Sequence, residues 1–302
     1  MKQRIITGLL GSSLAVLVLV FLQTWLPGVL LALFAGMGAY EIMHVGGVRN
    51  KGMMATGVLM AVALMPILEY ELLDRIKFPY TAALCLYILI LVLCLFFRYE
   101  KTSFAHLLIT LAASVGLPWS IFTLLLIRKT LQDYCGPTVE PNLIIYFWFF
   151  CFCCAWLTDA GAYFVGVRFG KRKLCPNISP KKTVEGAVGG IVLTLLFNIG
   201  FALLFNAVFL KQMHLNVWTI AVLSPAICIV SMVGDLIASV YKRNFGAKDY
   251  GRLFPGHGGV MDRFDSLIFV SPMIWMILYF ACTWGPALHE LLGFWILLKP
   301  VG

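Results

Sequence analysis

Long apolar runs, separated by short polar segments that contain glycine or proline, recur along nearly the whole chain. A bilayer core of about 30 Å requires about 20 predominantly apolar residues per helix. The runs meet this length, and the breaks between them predict nine membrane-spanning helices. The predicted spans are residues 5–26, 28–45, 53–69, 79–97, 104–127, 142–167, 188–209, 217–241 and 264–283.

The fold class that this pattern predicts is all-α, a polytopic integral membrane helical bundle with about nine transmembrane helices. The first run is longer than the roughly 7–15 apolar residues of a cleavable signal peptide, so we expect a retained first helix. The segment 287–298 is apolar but short, with Gly285-Pro286 before it and Pro300 after it. It is predicted to be a tenth, partial or interfacial segment.

Composition supports this class, since 61% of the residues are hydrophobic and only 12% are charged, against about 25% charged residues in soluble domains. The formal net charge of +9 is carried mainly by short loops between apolar spans. This distribution argues against nucleic acid as a partner and favours anionic membrane lipids and a nucleoside triphosphate. The nine cysteines lie mostly inside predicted spans, where helix packing explains them better than a redox or zinc site.

The basic residues also predict the topology. With the N-terminus in the cytoplasm, most Lys and Arg residues fall on the cytoplasmic side, as the positive-inside rule requires. The two most basic loops, 168–187 and 242–263, then share that side. We therefore expect a multi-pass protein of the inner, cytoplasmic membrane with its active site on the cytoplasmic side.

Asp235 and Asp159 lie inside predicted spans, where an uncompensated charge is costly. Asp235 lies about six residues before the predicted cytoplasmic end of its helix, which is roughly 9 Å deep. Such residues usually face a cavity, an ion or a charged partner, so Asp235 is a candidate functional residue. Asp159 lies about eight residues from the same boundary, but beside Thr158 and Gly161 it also fits a hydrogen bond to a neighbouring helix.

The segment 239–265 holds the densest group of candidate residues. Three glycines flank His257 and allow the backbone to approach a phosphate or a metal closely. Asp262 and Asp265 are three residues apart, so they share a face if the ninth helix begins near them. Paired carboxylates suit Mg²⁺ or Mn²⁺, which proteins commonly bind together with substrate phosphates. Topology or lipid headgroups alone also explain the basic residues here, namely Lys242, Arg243, Lys248 and Arg252.

A second basic stretch, 168–187, precedes the seventh predicted span and offers hydroxyls and lysines to a triphosphate. By itself this stretch is weak evidence. Lys181 and Lys182 are equally expected as topology signals, and Thr183 with Gly186 also fits the start of a helix. Its value comes from sharing a predicted face with the segment 239–265.

Together these residues resemble the phosphatidate cytidylyltransferase family, also called CDP-diacylglycerol synthases. The resemblance rests on about 27 residues that contain Ser239, Lys242-Arg243, Lys248-Asp249, Pro255-Gly-His-Gly-Gly259, Asp262-Arg263 and Asp265. It extends upstream over residues 159–186, while the N-terminal half offers only hydrophobicity. The chain departs from the family pattern at Ala160, Val184 and Tyr241.

The resemblance implies a nucleotidyltransferase of phospholipid biosynthesis that converts CTP and phosphatidic acid into CDP-diacylglycerol and pyrophosphate. It implies a divalent metal, Mg²⁺ or Mn²⁺, bound by Asp235 and Asp262 with Asp265 as a further ligand, and it leaves a second cation open. Other residues implied in catalysis or phosphate binding are Lys242, Arg243, Lys248, Asp249, His257 and Arg263. Residues implied in substrate binding are Asp159, Ser179, Lys181, Lys182, Thr183 and Glu185. The signature would lie in a C-terminal transmembrane catalytic region, 141–302, that follows N-terminal transmembrane helices in 1–140.

Other classes of protein stay open at this point. A CTP-dependent polyprenol or phytol kinase would transfer the γ-phosphoryl group of CTP to a lipid alcohol. A transporter would place Asp159 and Asp235 in a cavity at the bilayer midplane, and a lipid-binding scaffold would need neither residue. Gly186 and Gly190, in GxxxG spacing, permit a homodimer without requiring one.

Overall fold

The computed structural model describes residues 21–22, 24–136, 139–211, 213–253, 258–292 and 297–300. Its long helices are α1 (Leu26–Val45), α2 (Lys51–Glu69), α5 (Phe104–Cys135), α6 (Pro141–Phe169), α7 (Val184–Phe209), α8 (Val217–Asn244) and α10 (Leu267–Leu292). The shorter helices are α3 (Leu72–Arg75), α4 (Tyr80–Phe96) and α9 (Met261–Phe264). Four short strands are β1 (Lys173–Cys175), β2 (Ser179–Thr183), β3 (Met213–Leu215) and β4 (Leu298–Pro300).

The predicted all-α membrane architecture is confirmed. Within the described part of the chain, seven helices are long and apolar enough to cross a bilayer. The first predicted span falls mainly on residues outside that part, and the fourth corresponds to α4, which has only 17 residues. The predicted number of nine is therefore approximate.

The C-terminal segment differs from its prediction. Helix α10 continues through Gly285-Pro286 to Leu292, so this dipeptide does not end the ninth span as the breaker residues suggested. Strand β4 pairs antiparallel with β3, with Leu298 opposite Leu215. The chain beyond α10 thus returns to the strand that precedes α8.

The described chain forms two compact units. Of the described residues, one unit contains those up to Phe122 together with those in Tyr241–Phe264, and the other contains those in Thr123–Val240 together with those from Asp265 onward. The division of the sequence at residue 140 stays a prediction.

In the first unit, small side chains bring α1 and α2 together. Ala35 and Ala39 on α1 and Ala61 on α2 are fully buried. Asn50 begins α2, because its side-chain oxygen accepts the backbone N–H groups of Gly52 and Met53 at 3.1 and 3.3 Å. This cap satisfies N–H groups that the first turn of a helix otherwise leaves unpaired.

In the second unit, glycines bring α6 and α7 into backbone contact. A Cβ atom on Gly161 would lie 3.1 Å from the Cα atom of Gly190, and one on Gly186 would lie 2.6 Å from the carbonyl oxygen of Ala162. Small residues are typical of such close helix pairs in membranes. The GxxxG spacing is therefore used within the chain, and a homodimer stays a prediction that these glycines do not support.

A hairpin interrupts the basic stretch between α6 and α7. Strands β1 and β2 are antiparallel, with Lys173 opposite Thr183 and Cys175 opposite Ser179. The sequence predicted a plain loop here, because the strands are short and lack an alternation of apolar and polar residues. The hairpin fixes which side chains of this stretch turn inward.

Candidate functional site

Strand β2 places two neighbouring lysines on opposite faces, as successive residues of a strand must lie. Lys181 is exposed, whereas the side chain of Lys182 is only 21% exposed. Lys182 forms ion pairs with Asp235 on α8 and with Asp159 on α6, the latter at 3.7 Å between Nζ and Oδ1. The hairpin thus distinguishes two lysines that sequence alone treats as equivalent.

Three carboxylates surround the ammonium group of Lys182. Burial disfavours its charge, but Asp235, Asp159 and Asp265 more than offset that effect, so the pKa of Lys182 is raised above its usual value. The Ser266 hydroxyl donates to Oδ2 of Asp159 at 3.2 Å. We call these five residues the Lys182 cluster. With three acids and one base, the cluster carries excess negative charge.

Both helical carboxylates of this cluster lie further from the ends of their helices than predicted, because the helices are longer. Asp235 lies nine residues before Asn244, the end of α8, which is roughly 14 Å along the axis. Asp159 lies ten residues before Phe169, which is roughly 15 Å. The longer α8 also corrects the predicted start of the loop at 242, since Lys242 is in the last turn of the helix.

A second group of polar residues, in the first unit, is organised around Asp262 on α9. The Asp262 side chain is 7% exposed, and its Oδ1 accepts a hydrogen bond from Nζ of Lys242 at 2.8 Å. Its Oδ2 accepts the backbone N–H groups of Tyr250 and Gly259 at 2.8 and 2.9 Å. We call these four residues the Asp262 cluster. Because both oxygens are engaged, the carboxylate is held in one orientation.

Gly258 is required by the same arrangement. Its φ angle is +85°, and a Cβ atom there would lie 2.6 Å from Oδ2 of Asp262. A side chain at this position would therefore be strained and would displace the carboxylate. The close approach that glycine permits here is to Asp262. Pro255, Gly256 and the candidate His257 lie outside the described residues.

Sequence reasoning missed Glu41, a residue of α1 that is 7% exposed. Its carboxylate oxygens accept the backbone N–H groups of Val260 and Met261 at 3.0 and 2.8 Å. Side chains on Gly251 or Gly259 would collide with this carboxylate. Glu41 therefore fixes the segment that carries Asp262. A signal was present, since the cost of an acid inside an apolar span applies to Glu41 as it does to Asp235.

The condition for Asp262 and Asp265 to share a helical face is not met. Helix α9 ends at Phe264 and α10 begins at Leu267, so Asp265 lies between two helices. Asp265 is buried, and its Oδ1 accepts the N–H group of Ser266 at 2.8 Å. The two aspartates therefore take part in separate groups of contacts.

Two predicted substrate-binding residues have structural roles. The Thr183 hydroxyl accepts the N–H group of Gly186 at 3.1 Å, which caps the start of α7, as the alternative interpretation of this residue held. The carboxylate of Glu185 accepts the N–H groups of Lys171 and Arg172 at 3.0 and 3.1 Å. These contacts attach the hairpin to the first turn of α7.

The remaining predicted residues lie at or near the surface. Arg243 donates to the carbonyl oxygen of Ala247 at 3.1 Å and is otherwise exposed. Ser179 is partly exposed, while Lys181, Lys248, Asp249 and Arg263 are exposed. Their roles stay predictions. The departure at Tyr241 has a structural use, because its hydroxyl donates to the carbonyl oxygen of Ile42 on α1 at 2.8 Å.

The carboxylates provide hard oxygen donors, which Mg²⁺ and Mn²⁺ prefer. Among the described residues, no three His, Cys, Asp or Glu side chains already lie close enough to form a complete metal site. The Lys182 cluster nevertheless fits a divalent cation in charge and donor type, because its acids outnumber its base by three to one. In the Asp262 cluster, Lys242 already offsets the charge of the carboxylate.

The sequence matches a family model over most of its length and individual related proteins over less than half of it. A family model described as the cytidylyltransferase family matches residues 2–281. Proteins named phosphatidate cytidylyltransferase from Staphylococcus haemolyticus and Staphylococcus epidermidis are each 43% identical over 129 residues, and one from Staphylococcus aureus is 41% identical over 129 residues. Each match covers 43% of this chain and 47% of the relative, so it spans about half the length of the curated relatives. Because the family model covers far more than half of the chain, this chain belongs to the cytidylyltransferase family.

Proposed function

We propose that this integral membrane protein is a nucleotidyltransferase that combines CTP with phosphatidic acid. A phosphate oxygen of the lipid attacks the α-phosphorus of CTP, and the bond from that phosphorus to the bridging oxygen of the β-phosphate breaks. The products are CDP-diacylglycerol and pyrophosphate. The observation that carries the proposal is the Asp262 carboxylate, held by Lys242 and two backbone N–H groups inside the family signature. The names of the Staphylococcus relatives support the same reaction.

The two substrates are both anions, so the protein must offset their repulsion. Two unit charges 4 Å apart interact by about 4 kcal/mol at an effective dielectric constant of 20. Cations placed beside the reacting phosphates reduce this barrier most where charge develops in the transition state. We assign this role to the basic residues of the signature, which are Lys242, Arg243, Lys248 and Arg263. A neutral lipid alcohol would need less such screening.

We assign the nucleotide side to the hairpin and its surroundings, with Lys182 as the residue that the geometry favours. Carboxylates on α6 and α8 fix the position of its ammonium group, which is therefore less mobile than that of a lysine exposed to solvent. Lys181 and Ser179 on the same strand are further candidates for contact with a triphosphate. Thr183 and Glu185 act indirectly, since they hold the hairpin against α7.

A divalent cation, Mg²⁺ or Mn²⁺, belongs to the proposal. Asp235 would hold it, with Asp265 of the same cluster as a further ligand, and the ion would neutralise phosphate charge when bound. That Asp262 is also a ligand stays a prediction from the family resemblance. Within the Lys182 cluster, the carboxylates would supply the oxygen ligands, and the ammonium group offsets part of their charge. The identity of any second cation is left open.

The test follows the fate of the phosphorus atoms of CTP. With CTP labelled at the α-phosphate and phosphatidic acid as acceptor, we expect the label in a lipid and unlabelled pyrophosphate in solution. Asp262→Asn, checked for folding by its melting temperature, should lose this transfer. Movement of a γ-phosphate label to a lipid alcohol, with release of CDP, would instead establish the kinase. No CTP turnover with either acceptor would favour the scaffold or the transporter.

The cytoplasmic position of the site is also a proposal, supported by the distribution of Lys and Arg. Lys181 is exposed on the hairpin, so a Lys181→Cys variant provides a probe. In sealed vesicles of known orientation, we expect an impermeant maleimide to label this variant above the wild-type background only from the cytoplasmic side. Labelling only from the opposite side would overturn the topology.

A further inference from the structure

A cavity of about 990 Å³ lies within the first unit, beside α1 and α2. One wall is apolar and includes Leu33 and Met37 on α1 and Val58 and Val62 on α2. The other end is formed by the loop after α8. A volume of this size is at the upper end of the range for ligand pockets. We call this space the α1–α2 groove.

The lining of the groove along α1 is about as long as one leaflet of a bilayer is thick. From Leu33 to Val45, the C-terminal end of α1, twelve residues span roughly 18 Å. On α2 the lining residues are Val58 and Val62, one helical turn apart, which is roughly 6 Å. Half of a hydrocarbon core of about 30 Å is roughly 15 Å. The lining along α1 therefore extends about as far as an acyl chain of one leaflet does, with apolar side chains from Leu33 to Met37 and polar ones nearer the loop after α8.

The mouth of the groove carries groups that bind an anion. Lys248 and Arg252 line it and are exposed. Of the two acids that also line it, Glu41 is engaged by the N–H groups of Val260 and Met261. Asp249 offsets one of the two positive charges. A phosphate monoester at this mouth could accept hydrogen bonds from the exposed ammonium and guanidinium groups of Lys248 and Arg252.

A groove with an apolar wall and with cations at its other end fits an amphiphile with an anionic head. We propose that the α1–α2 groove receives an acyl chain of the phosphatidate substrate, with Lys248 and Arg252 at its phosphate. This assignment rests on the proposed function, and it names the surface that selects the lipid. The N-terminal helices, which otherwise offer only hydrophobicity, then take part in substrate recognition.

The kinetic test compares a variant that fills the groove with a variant of a neighbouring residue on the same helix that lies outside it. Val58→Trp places a large ring inside the groove, whereas Leu59→Trp places it on a side chain that is 67% exposed. We expect Val58→Trp to raise KM for dioleoyl phosphatidate about tenfold, as overpacking of this size does. KM for CTP should not change, and Leu59→Trp should resemble the wild type. The effect should be smaller with dihexanoyl phosphatidate, because its six-carbon acyl chains reach less far into the groove.

A binding measurement keeps the proposal independent of turnover and of any folding defect. Phosphatidate with a diazirine on its acyl chain, photolysed with the wild-type protein, should crosslink to peptides that contain residues 33–37 and 58–62. Crosslinks confined to other helices, or an equal KM change in both tryptophan variants, would overturn the groove while leaving CDP-lipid synthesis intact. Crosslinking to the groove in a protein that makes no CDP-lipid would support the lipid site and reject the proposed reaction.

Discussion

Replacing Lys182 with Met tests whether one lysine of the hairpin organises the carboxylates around it. The substitution leaves Asp159, Asp235 and Asp265 without the ammonium group that offsets their charge. Removing one partner of a buried ion pair typically costs 3–5 kcal/mol. Because about a fifth of the Lys182 and Asp235 side chains is exposed, water reduces this cost. We expect a loss of about 2 kcal/mol in the free energy of unfolding.

The assay is thermal unfolding of the purified protein in detergent, followed by intrinsic fluorescence. A loss of about 2 kcal/mol corresponds to a decrease in Tm of roughly 4–8 °C for chains somewhat smaller than this one, so we expect about 4 °C. Lys181→Met is the matched control, because it removes the same charge from the opposite face of β2. It should change Tm by less than about 1 °C. Lys182→Arg keeps the charge and should lie between the two.

The pH dependence has a definite sign. The folded-state pKa of Lys182 is raised, so its contribution to stability is complete below the unfolded value of 10.5 and is lost as pH rises through the folded value. The Tm difference between wild type and Lys182→Met should therefore be constant from pH 6 to about pH 9 and decrease only above about 10.5. If Lys181→Met and Lys182→Met lower Tm equally, or if the difference vanishes at neutral pH, the reasoning about this cluster is wrong.

Three further changes probe the other contacts. Glu41→Gln keeps the shape of the side chain but turns an NH₂ group toward a backbone N–H group. We expect the free energy of unfolding to decrease by about 1.5–3 kcal/mol, seen as a lower Tm, and kcat to decrease as well. Unchanged values would show that Glu41 does not hold the Asp262 segment. Gly258→Ala should lower kcat at least tenfold, because it combines a left-handed backbone with a collision at the Asp262 carboxylate; Gly246→Ala, with φ +66° and open space around it, is the control for the backbone cost alone. Asp235→Asn should abolish the response of turnover to added Mg²⁺ or Mn²⁺, and a folded variant with a wild-type metal response would remove Asp235 from the proposed ligands.

The helices were predictable because their signal is averaged over about 20 residues, so errors at individual positions cancel. Their ends were not, since the end of α8 depends on a few residues: Lys242 and Arg243 look like loop charges in sequence and are helical in the structure. The end of α10 was missed for a related reason, because Pro286 is tolerated inside a long helix. Local breakers predict boundaries poorly where tertiary packing continues the helix.

The sequence identified most acidic residues of the candidate site, but it could not show which basic residues face them. Asp235 and Asp159 were identified because a carboxylate inside an apolar run is costly wherever it lies. The roles of Lys181 and Lys182 could not be distinguished from sequence. Their difference depends on a hairpin whose two strands have three and five residues and show no alternation of apolar and polar residues. Glu41 was overlooked because it is remote in sequence from the signature, and its partners are backbone N–H groups, which no side-chain pattern reveals.

Thr183 is both the last residue of β2 and the residue that caps α7. A sliding hairpin would exchange the lysines, since a shift by one residue turns every side chain of a strand to the other face. Lys181 would then face inward in place of Lys182, and the same type of side chain would occupy that position. The cap prevents this exchange, because the shift would remove the Thr183 hydroxyl from the N–H group of Gly186. The helix end therefore acts as a stop for the strand, and insertions should be tolerated in the turn 176–178 but not between Lys182 and Val184.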